Sequence, residues 1–183
     1  MPSLIEPQLA TLADRPPKGG DWSYEIKFDG YRVMTRIARG ATQIFTRNGH
    51  DWTSRMPRLA ESCNELQVDD AWFDGEAVVL DSIGRPAFNA LQNAFDRRST
   101  TETFMFVFDI LWLNGADLRE QPLRSRRALL RELLEGATSH AIRFSEDFPQ
   151  DPVSLVASAC KMKLEGIIGK RADAPCRPGR STD

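Results

Sequence analysis

Alternating apolar and polar positions dominate the first part of the chain after residue 20. β-Branched and aromatic residues alternate with polar ones in Trp22–Lys27 and Tyr31–Ile37, and a third run, Thr42–Thr46, follows the Arg39–Gly40 turn. A period of two is typical of strands with one buried face. Residues 1–20 instead contain four prolines, which predicts an irregular N-terminal arm.

Helical spacing begins further along the chain. Met56, Leu59, Cys63 and Leu66 recur every three to four residues and predict a short helix over Ser54–Leu66. The rest of the chain alternates between the two kinds of element. We predict strands at Ala71–Leu80, Phe104–Leu113, Ala141–Ser145 and Gly166–Lys170. We predict helices at Ala87–Phe95, Pro122–Leu134 and Pro152–Met162. The early strands are joined by turns too short for parallel crossovers, so the pattern predicts an α+β domain with antiparallel-rich sheets and flanking helices.

Composition narrows the class of protein. A chain of 183 residues with 41% apolar residues is about one globular domain. The most apolar stretch, Phe104–Leu113, is far shorter than the ~20 residues of a membrane helix, and residues 1–4 do not resemble a secretory signal. We therefore expect a cytoplasmic protein without membrane contact. The three cysteines form no paired motif, so neither a disulfide framework nor a zinc site is indicated.

Charge limits how the chain can hold nucleic acid. The formal net charge is −2, so any contact with DNA has to come from local basic clusters. One such cluster, Arg124, Arg126, Arg127 and Arg131, falls within a predicted helix. Clusters of this kind are mostly solvated faces, and we expect the same here.

A lysine lies at a junction between two predicted strands, in Lys27-Phe28-Asp29-Gly30. An ordinary lysine has a pKa of ~10.4, so its amine becomes a nucleophile only where burial or a neighbouring cation lowers that value. Taken alone, the tetrapeptide is more simply a solvated turn with a Lys–Asp pair. Its meaning depends on the motifs that follow.

Three further motifs follow in order. They are Asp74-Gly75-Glu76 on a strand, Phe108-Asp109 within an apolar strand, and Glu165-Gly166-Ile167-Ile168-Gly169-Lys170 at the last strand. Together with Lys27–Arg32 they resemble the nucleotidyltransferase motifs of covalent ligases and mRNA capping enzymes, in which a lysine takes up a nucleoside monophosphate. Taken singly, Phe108 would be a core aromatic residue, and Asp74 and Asp109 more simply brace backbone and neighbouring cations.

Other stretches narrow the resemblance to ATP-dependent DNA ligases. These are Thr46–Gly49, Phe73–Asp81, Gly84–Gln92 and Phe108–Gly115. Through Pro7–Leu12, Trp22–Arg32 and Pro178–Ser181 the chain looks most like the bacterial non-homologous end-joining ligases of the ligase D kind. The resemblance covers nearly the whole chain and implies the covalent nucleotidyltransferase fold of a DNA ligase adenylation domain.

The resemblance also implies a role for each matching residue at the nucleotide. Lys27 would be the adenylated nucleophile, and Glu25 would help recognise the amino group of adenine. Phe108 would stack on the base. Arg32 and Glu76 match positions that hold the ribose and organise the site.

The remaining matches concern phosphate and metal. Arg47 matches a residue that contacts the nucleotide and the DNA 5′-phosphate, and Lys170 would face phosphate. Glu165, with Glu76, matches the carboxylates that organise the metal. The implied cofactors are ATP and Mg²⁺ or Mn²⁺, since cations offset the charge of a reacting α-phosphate.

The implied reaction joins DNA strands in three steps: lysine adenylation, transfer of AMP to a DNA 5′-phosphate, and displacement of AMP by a 3′-hydroxyl. Implied partners are nicked or broken double-stranded DNA, a Ku-like end-binding protein, and polymerase or nuclease domains of the same parent protein. The family continues past residue 183 with a last pair of catalytic lysines and an oligonucleotide-binding domain, so we expect residues 1–183 to be a truncated adenylation domain, impaired in sealing nicks. The alternatives are a capping-type guanylyltransferase, an RNA ligase, or a non-catalytic nucleotide- or DNA-binding module.

Overall fold

The computed structural model describes residues 1–17 and 19–183; Lys18, in the predicted arm, lies outside them. The strands are β1 (Gln8–Ala10), β2 (Trp22–Lys27), β3 (Tyr31–Ala38), β4 (Ala41–Thr46), β5 (Asp70–Val79), β6 (Thr103–Leu113), β7 (Ala116–Asp117), β8 (Ile142–Phe144), β9 (Asp147–Phe148), β10 (Gly166–Arg171) and β11 (Gly179–Ser181). The helices are α1 (Pro57–Asn64), α2 (Phe88–Asp96), α3 (Leu123–Glu135) and α4 (Pro152–Lys161), with a 3₁₀ turn at Thr53–Arg55. Every predicted strand and helix has a counterpart, with ends shifted by a few residues.

The largest sheet is built from strands that follow one another along the chain. Its order is β4-β3-β5-β6-β7, all antiparallel, and β8 pairs with β6 in parallel. Two irregularities in the β5–β6 register, next to Phe73 and Gly75, shift which β6 residues face each side. This sheet, with helices packed against it, confirms the predicted α+β class.

The two faces of the large sheet have different characters because side chains alternate along its strands. On one face Val33, Ile37, Phe73 and Ala77 join the main core. This core also contains Leu59 of α1 and Leu130 of α3. That face is therefore largely apolar, with Thr35 as a buried polar residue, and carries α1 and α3.

The opposite face changes from apolar to charged along its length. Met34, Trp72 and Leu111 form a second buried cluster with Ile5 and Cys176. Arg32, two residues before Met34 on β3, and Asp74, two residues after Trp72 on β5, make the next part of this face charged. The polar end of this face forms one wall of a cavity.

A second sheet, of order β10-β2-β9, forms the other wall. Its central strand leads into the large sheet through the tight β2–β3 connection. Gly30 is required there, because a Cβ at this position would lie 2.3 Å from the backbone oxygen of Ala77. The connection therefore fixes the end of β2 against β5.

The prediction of an irregular arm over residues 1–20 is wrong for Gln8–Ala10, which pair in parallel with Gly179–Ser181. Three-residue strands show no measurable alternation, and each of these has its partner at the far end of the chain. Ile5 is also buried, and Trp72 Nε1 donates a hydrogen bond to the Pro2 carbonyl at 3.2 Å.

Candidate active site

The cavity between the two sheets has a volume of about 250 Å³. It is lined by charged side chains from both sheets, by the ring of Phe108 and by backbone of β1. The residues predicted from the sequence that line it are Glu25, Lys27, Arg32, Arg47, Glu76, Phe108 and Lys170. The eighth, Glu165, is not a lining residue and lies beside the cavity in an ion pair with Lys27. Folding thus brings together residues from five strands and two connecting segments.

The reactive-lysine candidate lies at the open side of the cavity. Lys27 is the last residue of β2 and pairs in register with Gly166, the first residue of β10. Glu165 precedes that strand, so the β2–β10 pairing places its carboxylate against the Lys27 amine in an ion pair. The side chains are 44% and 39% exposed. The amine is therefore within reach of a ligand from solvent.

Glu25 lies on the same strand but is buried deep in the site. Its Oε1 is 2.7 Å from Lys170 Nζ and 3.0 Å from an Nη of Arg127, and its Oε2 accepts a hydrogen bond of 2.8 Å from Ser145 Oγ. A buried carboxylate is tolerated only where such partners offset its desolvation. Glu25 is thus a fixed anionic group at the inner wall.

Two cations lie close to the ring of Phe108. Lys170 Nζ is 4.1 Å and the Arg32 guanidinium carbon 4.6 Å from the centre of its ring, within the range of cation–π attraction. The residue is almost fully buried, yet its ring forms part of the cavity wall. An aromatic surface with positive charge beside it suits a flat, electron-rich ring attached to phosphate.

Two buried ion pairs form the floor of the site. Arg32 binds Asp74 through two hydrogen bonds of 2.6 and 2.7 Å and also donates to the Gln8 carbonyl at 3.0 Å. Arg126 binds Asp109 through two hydrogen bonds of 2.8 Å. The expectation that Asp74 and Asp109 brace neighbouring cations is confirmed. Arg32 also reaches the β1 strand, which explains why the arm contributes to the cavity wall.

The fold also raises the pKa of the Glu76 carboxyl. Burial raises the pKa of Glu76 to about 7; Arg32 and Lys27 oppose this effect, while Asp74 and Asp29 add to it. At neutral pH the group is therefore divided between its neutral and ionised forms.

Arg47 lies exposed at the rim of the cavity. It is part of the turn that is closed by a hydrogen bond from the Gly49 N–H to the Thr46 carbonyl.

Three polar residues of this region were not predicted from the sequence. Arg126 and Arg127 are buried, so the expectation that this basic cluster is a solvated face is wrong for them. A signal did exist: with Leu123 and Leu130 they occupy positions i, i+3, i+4 and i+7 of α3, which is the spacing of a buried face. Ser145 gave no signal, because a serine after a short strand is unremarkable.

The carboxylates fit a metal that is held mainly by its ligand. In residues 1–17 and 19–183 no three His, Cys, Asp or Glu side chains are grouped as a metal cage. Mg²⁺ usually binds through one or two carboxylates together with substrate phosphates and water. Glu76 and Glu165, at the cavity and beside its lysine, supply such a partial set.

A lysine amine at the mouth of a cavity with an aromatic wall and a fixed carboxylate is the arrangement that the covalent nucleotidyltransferase class requires. The sequence model of the ATP dependent DNA ligase domain matches residues 7–183. The chain belongs to this family. None of the helices in the described ranges is long and apolar enough to span a membrane.

Curated relatives agree with this family. The chain is 49% identical over 183 residues to the multifunctional non-homologous end joining protein LigD of Pseudomonas aeruginosa, covering 100% of this chain and 22% of that protein. It is 38% identical over 177 residues to the LigD of Mycobacterium tuberculosis, covering 96% and 22%. The chain thus spans about a fifth of the length of these relatives.

Solved structures share the fold. The ligase domain of M. tuberculosis LigD is 33% identical with a TM-score of 0.78, over 96% of this chain and 57% of that one. A mycobacterial DNA ligase D complexed with ATP is 31% identical with a TM-score of 0.79, over 97% and 58%. The Chlorella virus DNA ligase-adenylate, at 15% identity and a TM-score of 0.68 over 98% and 66%, shows the fold alone. These neighbours confirm the predicted adenylation-domain fold.

Proposed function

We propose that this chain is the adenylyl-transferring core of a DNA ligase and that Lys27 is its nucleophile. The observation that carries the proposal is the exposed Lys27 amine on the same cavity as a buried carboxylate and an aromatic ring. After losing its proton, Lys27 Nζ attacks the α-phosphorus of ATP. A nitrogen–phosphorus bond forms, the bond to the β-phosphate oxygen breaks, and pyrophosphate leaves.

The inner wall is the part that recognises the base in this proposal. The Glu25 carboxylate accepts a hydrogen bond from the 6-amino group of adenine, which the oxygen of guanine cannot donate. Phe108 stacks on the base, and Arg32 and Glu76 hold the ribose. The depth of Glu25 and Phe108 and the exposure of Lys27 support this orientation, with the base inside and the phosphates towards solvent.

The outer part handles phosphate. Arg47, at the rim, offsets phosphate charge and passes from the nucleotide to the 5′-phosphate of DNA. Lys170 also faces phosphate in this proposal, which requires its Nζ to leave the Glu25 carboxylate, 2.7 Å away at the inner wall. Glu165 and Glu76 hold Mg²⁺ or Mn²⁺, which when bound would neutralise charge on the phosphate oxygens. Glu165 has to leave its ion pair with Lys27 to do so. Because that pair is exposed, separating it is inexpensive.

We also propose that the chain acts in end joining, as the names of its LigD relatives suggest. Its AMP would pass to the 5′-phosphate of nicked or broken double-stranded DNA. A Ku-like end-binding protein would recruit it, and polymerase or nuclease domains would lie in the same polypeptide. Joining of linear DNA by the complete gene product, with and without a Ku-like protein, tests this part; no stimulation would argue against recruitment.

Incubation with ATP and Mg²⁺ followed by peptide mapping tests the nucleophile. We expect AMP on the peptide that contains Lys27, in the chain itself or in the complete gene product, and no label from GTP. Lys161→Ala is the matched control, since Lys161 is an exposed lysine at the end of α4. AMP on another residue, or full labelling of Lys27→Ala, would refute the assignment.

A further inference from the structure

Arg127 is buried directly behind the cavity. It extends from α3, is 6% exposed, and donates hydrogen bonds to the backbone oxygens of Phe108, at 3.0 Å, and Ser145, at 2.7 Å. The same guanidinium lies 3.0 Å from the Glu25 carboxylate and 3.2 Å from that of Asp147. One side chain therefore ties together β2, β6 and the segment from β8 to β9.

Arg127 contacts both residues that the proposed function assigns to recognition of the base, Glu25 on β2 and Phe108 on β6. Glu25 is held through its side chain and Phe108 through its backbone. Ser145 completes the arrangement: its carbonyl accepts from Arg127 while its hydroxyl donates to the second oxygen of Glu25 at 2.8 Å. One Glu25 oxygen is thus held by the hydrogen bond from Ser145, and the other lies within ion-pair distance of Arg127 and Lys170 without a hydrogen bond. The hydrogen bond and the two charges together restrict rotation of the carboxylate.

Arg127 acts from outside the cavity. It is not among the residues that line the nucleotide cavity and instead borders a groove on the far side of Glu25, where its guanidinium packs over Phe144 at 4.6 Å. A ligand in the cavity would touch Glu25 and Phe108 but not Arg127. Any influence of Arg127 on binding must therefore pass through those two residues.

We propose that Arg127 is a positioning residue that sets the Glu25 carboxylate to distinguish adenine from 6-oxo purines. The inference rests on the proposed function, because it requires the base to lie against Glu25. A planar guanidinium can hold several acceptors in a fixed fork, which a lysine ammonium cannot reproduce. With lysine at this position Glu25 keeps a neighbouring charge but loses its fixed orientation.

Binding of ATP and of inosine 5′-triphosphate tests the proposal without requiring turnover. Inosine carries an oxygen where adenine carries the amino group, so the ratio of the two dissociation constants measures recognition by Glu25. We expect Arg127→Lys to reduce that ratio by about tenfold, the equivalent of ~1.4 kcal/mol. Arg131→Lys is the matched control, since Arg131 lies on the same helix and also contacts Phe144 and Asp147 but not Glu25.

Combining variants separates positioning from general destabilisation. If Arg127 acts through Glu25, Glu25→Gln and Glu25→Gln/Arg127→Lys have the same ratio. Ser145→Ala, a smaller change, should also lower the ratio and provides the test if Arg127→Lys folds poorly. A wild-type ratio of the two dissociation constants in both Arg127→Lys and Ser145→Ala would contradict the positioning role of Arg127 and leave the proposed function standing. A wild-type chain that binds ATP but does not prefer it to inosine triphosphate would overturn base recognition by Glu25 as well.

Discussion

The ion pairs at this cavity fall into two kinds that differ in burial. Lys27 and Glu165, at the mouth, are 44% and 39% exposed, whereas Arg126 and Asp109, at the floor, are 3% and 10% exposed. Exposed pairs contribute little to stability and separate readily. Buried pairs are destabilising when one partner is removed, because the other is left desolvated and unpaired.

In the proposed function, this difference separates the residues that react from those that hold the site in place. The exposed pair can open to admit phosphate and metal without disturbing the fold. The Arg126–Asp109 pair, which is buried on both sides, keeps the floor rigid while that happens. Substitutions at the mouth should therefore change chemistry and leave stability alone, and substitutions at the floor should do the reverse.

The largest stability effect is expected at the floor. Asp109→Ala leaves Arg126 buried without its carboxylate and should lower the free energy of unfolding by about 3–5 kcal/mol. Urea denaturation measures it. Glu120→Ala, which breaks the exposed pair with Arg177, is the control and should change nothing measurable. Equal effects of the two variants would remove the distinction between buried and exposed ion pairs.

Glu165→Ala should show the opposite behaviour. Loss of this carboxylate should reduce the rate of lysine adenylation by about 10²–10³, as for other groups that act on developing charge, with the melting temperature unchanged. The rate is measured at limiting Mg²⁺. Glu146→Ala, which removes an exposed carboxylate paired with Arg131, should label normally. Wild-type labelling of Glu165→Ala would exclude the metal role.

The pH dependence of the free energy of unfolding tests the raised pKa of Glu76 in the cavity wall. Because burial raises its folded-state pKa to about 7, the folded state binds the proton more tightly than the unfolded state. This contribution to stability is complete below the unfolded pKa and is lost as pH rises through 7. Without nucleotide or metal, Glu76→Gln should therefore exceed the wild type in stability by about 1–3 kcal/mol at pH 8, with the difference falling towards pH 4. A difference independent of pH would contradict the raised pKa.

A smaller effect is expected for Phe108. Phe108→Ala should weaken ATP binding by ~1–3 kcal/mol through loss of stacking. Because the residue is nearly buried, Phe108→Leu, which keeps most of the volume, separates stacking from packing. Titration calorimetry on the folded variants decides the question. If both variants bind ATP like the wild type, the ring serves only the core.

The sequence predicted the elements well where local patterning was strong. The alternation of Trp22–Lys27 and Tyr31–Ile37 predicted β2 and β3, and apolar spacing predicted α3 and α4 within two residues. The resemblance of the motifs supplied the eight candidate site residues, which folding brings to one cavity. Pairing of Lys27 with Gly166, which joins the first and last motifs, is consistent with that order.

What the sequence did not predict depends on contacts between distant segments. The β1–β11 pairing joins two three-residue strands, too short for a period to be visible. Burial of Arg126 and Arg127 depends on carboxylates and carbonyls from other strands, which α3 alone does not reveal. The hydroxyl of Ser145 became meaningful only once Glu25 was placed beside it.

Lys27→Ala tests the central claim most directly when AMP incorporation and thermal stability are measured on the same preparation. The account predicts complete loss of the AMP label with an unchanged melting temperature, because Lys27 lies in an exposed pair at the mouth of the cavity. Asp109→Asn, at the floor, should instead lower the melting temperature and keep Lys27 as the labelled residue. Persistent labelling of Lys27→Ala, or a loss of stability comparable to that of Asp109→Asn, would contradict the account.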